Sequence, residues 1–241
     1  MRISKKAKNV ITSVLVDVYA LYKTKGILAI YLWGSVTSDE YNSKKSDIDT
    51  IAIVSDAADE TDVPSIRAFL KEKAPQLRNF KLNYLYQSEL QAGKAYSKIG
   101  RWMDPRILLL DFKQWEYVVG KRFRRTEFRR DISFAQAIAI QIKSLQRQHF
   151  PRLEQKDFAY REYFCKYVMK ICHYLNQQYR GKHPFGYRTL ATNSPPESKM
   201  VAQALLQIRK NGWSLRLFKQ HLALFLQFLH DVQSFSIKRL K

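Results

Sequence analysis

Asp47 and Asp49 stand one residue apart at the start of a β-forming run that continues to Val54. In an extended chain, residues two apart project to the same side, so both carboxylates can reach the same metal ions. Hard oxygen ligands in this arrangement suit Mg²⁺, which is completed by water and substrate phosphates rather than by an all-protein cage. An eleven-residue spacer separates Asp47 from Ser35, the last residue of the segment Tyr31-Leu32-Trp33-Gly34-Ser35. Gly34 lets the backbone come close to a phosphate, and the Ser35 hydroxyl and amide can donate to its oxygens. Ser46 immediately precedes the acidic pair. Lys44 and Lys45 lie beside it, either contacting a triphosphate or its leaving pyrophosphate, or simply solvated on a loop. Together these parts would hold a nucleoside triphosphate and its metals for in-line attack.

The elements that must position these residues are legible around them. Ile27 to Trp33 is a continuous apolar run rich in β-formers, the pattern of a buried central strand. Asp49 to Val54 forms a second strand, and the alternating stretch Phe80 to Tyr86 a third. Before them, Asn9 to Lys25 carries apolar residues at helical spacing and ends at Gly26; between the second and third strands, Pro64 to Lys73 reads as another helix. Asp104 to Arg130 is a junction, with a short helix at Pro105 to Asp111 and a turn at Gly120. Beyond it the period is 3.6, giving helices over 131–149, 157–180, 197–210 and 214–235. The expected fold is an α/β (α+β) N-terminal domain with a small mixed sheet, residues 1–120. An all-α helical bundle, residues 121–241, follows it.

Gly-Ser after a buried strand, set at this distance before Ser46-Asp47-Ile48-Asp49, resembles the signature of the polymerase-β-like nucleotidyltransferases. The minimal nucleotidyltransferases and aminoglycoside adenylyltransferases are the nearest likenesses. The specific match runs from Ile27 to Tyr86. The resemblance implies a Mg²⁺-dependent enzyme that transfers a nucleotide, usually AMP from ATP, to a hydroxyl and releases pyrophosphate. It assigns Gly34 and Ser35 to the triphosphate and Asp47 and Asp49 to the metals. Members of this family carry a third carboxylate on the third strand, and the matching position here is Asn83. An amide adds no negative charge and accepts no proton at neutral pH, so activity would be impaired. Glu89, six residues on, is the candidate substitute base, against the simpler role of a surface acid or helix starter.

Charge bears on the acceptor. The net charge is +21, and its distribution is one-sided: residues 1–120 hold 18 Lys+Arg against 14 Asp+Glu, residues 121–241 hold 24 against 7. Such a surface attracts phosphate-rich partners, RNA or a nucleotide, and is a poor wall for a polycationic aminoglycoside unless Glu127, Glu154, Asp157 and Glu162 build a local acidic patch. The run Lys121 to Arg130 holds six cations, Lys121, Arg122, Arg124, Arg125, Arg129 and Arg130, with two aromatics between them. It suits phosphate-backbone contact with base stacking, or else an amphipathic link with Phe123 and Phe128 docked in the core. On the last helix, Arg216 and His221 resemble the ribonuclease motif of HEPN domains, which implies ribonuclease activity in the helical domain as a lesser alternative. Cys165 and Cys172 make neither a zinc knuckle nor a disulfide framework, and no membrane segment or signal peptide is expected, which points to a cytoplasmic setting. The leading expectation is therefore a nucleotidyltransferase with a phosphate-bearing acceptor. Its rival is a fold of the same kind that binds nucleotide or nucleic acid without transfer.

Overall fold

The computed structural model describes residues 3–37, 47–58, 62–73, 75, 80–95, 104–128, 132–152, 158–180 and 186–239. Contacts divide the chain into two compact units, Met1–Ile132 and Ser133–Lys241. The division comes later than Gly120 because Phe123 and Phe128, both 4% exposed, pack into the core of the first unit.

The first unit is built on a four-stranded mixed sheet in the order β3-β2-β1-β4. Its strands are β1 (Ile27–Trp33), β2 (Ile48–Val54), β3 (Phe80–Tyr86) and β4 (Glu116–Gly120). β1 pairs antiparallel with both β2 and β4, whereas β2 and β3 are parallel and need a crossover, supplied by α2 (Asp62–Lys73). One face of the sheet, with Ile30, Leu32, Ala52 and Leu82, is covered by α1 (Lys5–Tyr22) through Ile11, Val14, Leu15 and Val18, and by Ile66 and Leu70 of α2. The α1 helix begins earlier than its apolar spacing suggests, because the Ser4 hydroxyl accepts from the Ala7 amide at 3.1 Å and caps it.

The opposite face carries Ala29, Tyr31, Ile51, Ile53 and Leu85 and packs against Leu90, Leu108, Leu109, Trp115, Phe123 and Phe128. Leu90 lies on α3 (Gln87–Ala92); Leu108 and Leu109 lie on α4 (Pro105–Leu110), a helix capped by the Asp104 side chain. Aromatic packing is dense here: Tyr31 lies 5.8 Å from Trp115 and 6.0 Å from Phe112, ring centre to ring centre. The Tyr31 hydroxyl accepts the Phe123 amide at 3.0 Å, tying the segment after β4 to the middle of β1. Burial pushes the Tyr31 phenol above its ordinary value in spite of that bond.

The second unit is helical: α5 (Phe134–Gln148), α6 (Phe158–Arg180), α7 (Tyr187–Asn193), α8 (Pro196–Lys210) and α9 (Leu215–Arg239). Its core holds Phe164, Val168, Ile171 and Leu175 of α6 together with Phe218, Phe225 and Leu229 of α9. Tyr179, which continues the α6 stripe in sequence, is 43% exposed and lies outside that core. Cys165 and Cys172 are free and buried; desolvation pushes Cys165 up to about 12 and raises Cys172 as well, so neither ionises near neutrality. Among the described residues, no helix is long and apolar enough to cross a membrane.

Candidate functional site

The antiparallel pairing of β1 with β2 brings the acidic pair and the Gly-Ser segment together, although eleven residues separate them in the chain. Trp33, the last residue of β1, is in register with Asp49, so the chain leaving β1 passes beside the second aspartate. It leaves as a single 3₁₀ turn, Gly34–Thr37, pinned by the buried Val36 and by the Thr37 hydroxyl, which donates to the Gly34 carbonyl at 2.9 Å. Gly34 takes φ +75°, in the left-handed region open to glycine. A Cβ placed there would lie 3.0 Å from Oδ2 of Asp49 and 3.5 Å from its Cβ. The glycine therefore meets two requirements at once, a left-handed turn and a close approach of backbone to carboxylate.

Asp47, Asp49, Gly34 and Ser35 are all partly exposed. Alternation along β2 sets Asp49 on the face of Ile51 and Ile53, and Asp47 lies two residues before it. Two carboxylates beside a cleared backbone form an open, oxygen-rich half-site. Such a half-site fits a hard divalent cation that takes its remaining ligands from water and phosphate. Among the described residues, no group of three or more His, Cys, Asp or Glu could hold a metal by itself. Ser46, Lys44 and Lys45 lie outside the described residues.

Asn83 is in register with Ile51 on the parallel strand, which places it on the face of Asp49 but two residues further along. The residue in register with Asp49 itself is Lys81. Neither position offers a carboxylate. The Asn83 Nδ2 is buried with no hydrogen-bond partner, a polar group left open beside the acidic pair.

Glu89 lies away from the acidic pair. It follows the far end of β3, where Tyr86 is in register with Val54 at the opposite end of β2 from Asp49. Five residues of strand at ~3.3 Å each put that end about 16 Å away. Glu89 is fully buried, and its Oε2 accepts the Tyr86 amide at 3.1 Å to cap α3. The helix-starter reading is the one this geometry supports.

The basic run resolves into separate roles. Phe123 and Phe128 are core residues, 5.4 Å apart, so they are not available to stack on bases. Arg125 is a structural clamp: its Nε donates to the Leu109 carbonyl at 3.0 Å and its guanidinium to the Phe128 carbonyl at 3.2 Å. Lys121 pairs with Glu127 at 3.1 Å and lies over the Phe123 ring; Arg122 sits over Tyr117. Lys121, Arg122 and Arg124 are exposed, whereas Arg129 and Arg130 lie outside the described residues. Glu127 is held below its ordinary value, first by the Arg124 amide it accepts and then by Lys121. In the second unit, His221 shares a 3.2 Å hydrogen bond with Gln207 and packs near Phe225, while Arg216 is exposed.

A solved structure shares this architecture: a spectinomycin adenyltransferase, AAD(9), from Enterococcus faecialis, crystallised with ATP and spectinomycin. The similarity has a TM-score of 0.56 and covers 94% of this chain and 99% of that one. The chain shares that protein's fold. The two sequences are 15% identical, and no protein-family model and no curated sequence matches the chain, so the likeness is one of fold. Within the shared fold, the register of β1, β2 and β3 adds what the motif could not show. Lys81, rather than Asn83, is the strand neighbour of Asp49. No signal along the sequence marks that neighbour, because register is set between strands.

Proposed function

We propose that the protein is a Mg²⁺-dependent nucleotidyltransferase that moves a nucleoside monophosphate, AMP from ATP, onto the hydroxyl of a phosphate-bearing acceptor such as RNA or a nucleotide, breaking the bond between the α- and β-phosphates and releasing pyrophosphate. The observation that carries the reading is the approach of Gly34 to the Asp49 carboxylate, 3.0 Å from a built Cβ, at the paired ends of β1 and β2. The adenyltransferase fold supports it. In this account Asp47 and Asp49 hold the metal, and Gly34 and Ser35 cradle the triphosphate. When bound, Mg²⁺ supplies charge neutralisation at the phosphates and a template for in-line displacement. Gly34 keeps the carboxylate and the phosphates within reach of each other, because any side chain at that position would fill the space between them.

Charge selects the acceptor class. Of the acids that could greet a polycation, Glu154 and Asp157 lie outside the described residues, while Glu127 is paired with Lys121 at 3.1 Å and Glu162 with Lys166 at 2.8 Å, each inside its own unit. With Glu127 and Glu162 neutralised locally, the excess of cations favours a polyanion.

A second reading is favoured by the missing carboxylate. Lys81 stands beside Asp49 and Asn83 two residues further along, so neither strand position supplies a carboxylate to accept the acceptor's proton. On this reading the site binds nucleotide and does not transfer it. One experiment separates the two: purified protein with α-labelled ATP, Mg²⁺ and pools of RNA, nucleotides and aminoglycosides. Label moved by the wild type and lost in Asp47→Asn supports transfer. Nucleotide binding without label transfer supports the second reading.

A further inference from the structure

The helical unit contains a cleft of about 650 Å³ that takes no part in the proposed transfer chemistry. It lies between the C-terminal end of α5 and one side of α6, lined by Arg147, His149, Arg152, Tyr160, Tyr163 and Tyr167 among others. The three tyrosines recur at three and four residues along α6, a stripe distinct from the buried one through Phe164, Val168 and Ile171. They gather around His149, with ring centres 6.2 Å, 6.3 Å and 5.1 Å from it for Tyr160, Tyr163 and Tyr167. Core packing does not account for Tyr163, which is 50% exposed, while Tyr160 and Tyr167 are partly buried beside it.

Cations frame the rings. Arg152 lies 4.7 Å from the Tyr160 ring centre and donates to its hydroxyl; Arg147 is exposed at the end of α5. The unit as a whole, residues 133–241, holds 18 Lys+Arg against 5 Asp+Glu. His149 is buried and its Nδ1 has no hydrogen-bond partner. Desolvation, with Arg152 adding to it, keeps the ring below its ordinary value, so near neutrality it offers an aromatic face rather than a further charge.

We propose that this cleft binds a nucleotide of single-stranded RNA, the base stacked on Tyr163 and Tyr167 and the phosphate held by Arg147 and Arg152. Aromatic platforms flanked by arginines match what a strand with unpaired bases requires: a π-face for each base and cations for the backbone. The volume is in the range of a site for one small organic group, so a single nucleotide of the strand occupies it. The inference does not depend on transfer by the first unit, since binding is measured without Mg²⁺ or ATP.

The test is fluorescence anisotropy of a labelled RNA octanucleotide with the full chain at several salt concentrations. Tyr163→Ala is expected to weaken binding by about 5- to 150-fold, the equivalent of one lost stacked base, while Tyr163→Phe binds like wild type. Arg147→Ala is expected to weaken binding and to reduce the salt slope by about one. An RNA duplex of the same length is expected to bind more weakly than the single strand. Tyr163 is half exposed, so its alanine variant should retain the native circular dichroism spectrum, which is recorded alongside. Wild-type affinity in a folded Tyr163→Ala variant would overturn the proposal. So would a duplex bound as tightly as the strand, or complete displacement of the strand by an equal concentration of free AMP, which would make the site one for a mononucleotide.

Discussion

Alanine at Gly34 separates two effects that the structure places at one residue. Gly34 has φ +75° and Gly212 has φ +62°, so a side chain at either position costs about 1–2 kcal/mol of left-handed backbone strain. Only the first meets a functional group: its Cβ would sit 3.0 Å from Oδ2 of Asp49, whereas nothing lies within 4 Å of a Cβ on Gly212. A contact that short forces the carboxylate to move by several tenths of an ångström, and misplacement of about 1 Å at a reacting centre can cost about 100-fold. Gly34→Ala and Gly212→Ala should thus each lower a urea midpoint by about 0.5–1 M. Nucleotide transfer should fall about 10- to 100-fold in Gly34→Ala and stay at the wild-type level in Gly212→Ala. The assay pairs urea denaturation with label transfer from α-labelled ATP. Full transfer by Gly34→Ala, or an equal loss in both variants, would refute the idea that Gly34 is there for the carboxylate.

Other residues give sharp expectations. Glu89→Gln keeps an acceptor for the Tyr86 amide and should leave transfer unchanged, while Glu89→Ala should lower stability by about 1–2 kcal/mol; a loss of 100-fold or more in Glu89→Gln turnover would restore it as a base. Phe128→Ala should destabilise the first unit by about 3–5 kcal/mol, and Arg122→Ala should change stability by less than about 0.5 kcal/mol while weakening RNA binding; the reverse order in a thermal melt would contradict the division of roles in the basic run. His149 is depressed by burial and then by Arg152, so the fold favours its uncharged ring. Its contribution to stability is complete above the ordinary value of 6.5 and is lost as pH falls through the depressed one. His149→Gln should flatten the fall in melting temperature as pH drops from 6.5 towards that depressed value, and an unchanged slope there would argue against it.

How far the sequence carried depended on whether a feature is local. β1 and β3 match their apolar and alternating runs, Ile27–Trp33 and Phe80–Tyr86, because burial on a sheet imposes those patterns on the residues themselves. β4 was missed: Glu116–Gly120 has too few residues to alternate visibly, and its strand character comes from pairing with β1. The seven-residue α7 was missed for a similar reason, being too short to show a period. At the site, Gly34 and Asp49 were legible as types at a spacing, but their contact comes from the pairing of Trp33 with Asp49. The position of Lys81 beside Asp49 and the distance of Glu89 from it are properties of register, and register is set between strands rather than along one. The core role of Phe123 and Phe128 follows from their meeting Tyr31, Phe112 and one another, partners remote in the chain or shared by several elements.

The most direct test of the central claim is transfer of label from α-labelled ATP to RNA in the presence of Mg²⁺, with wild type, Asp47→Asn and Asp49→Asn compared at equal folded concentration. Labelled RNA is expected with the wild type and none above background with either variant, at unchanged circular dichroism. Transfer that persists in both variants would contradict it, because the acidic pair would then not be the centre of the chemistry.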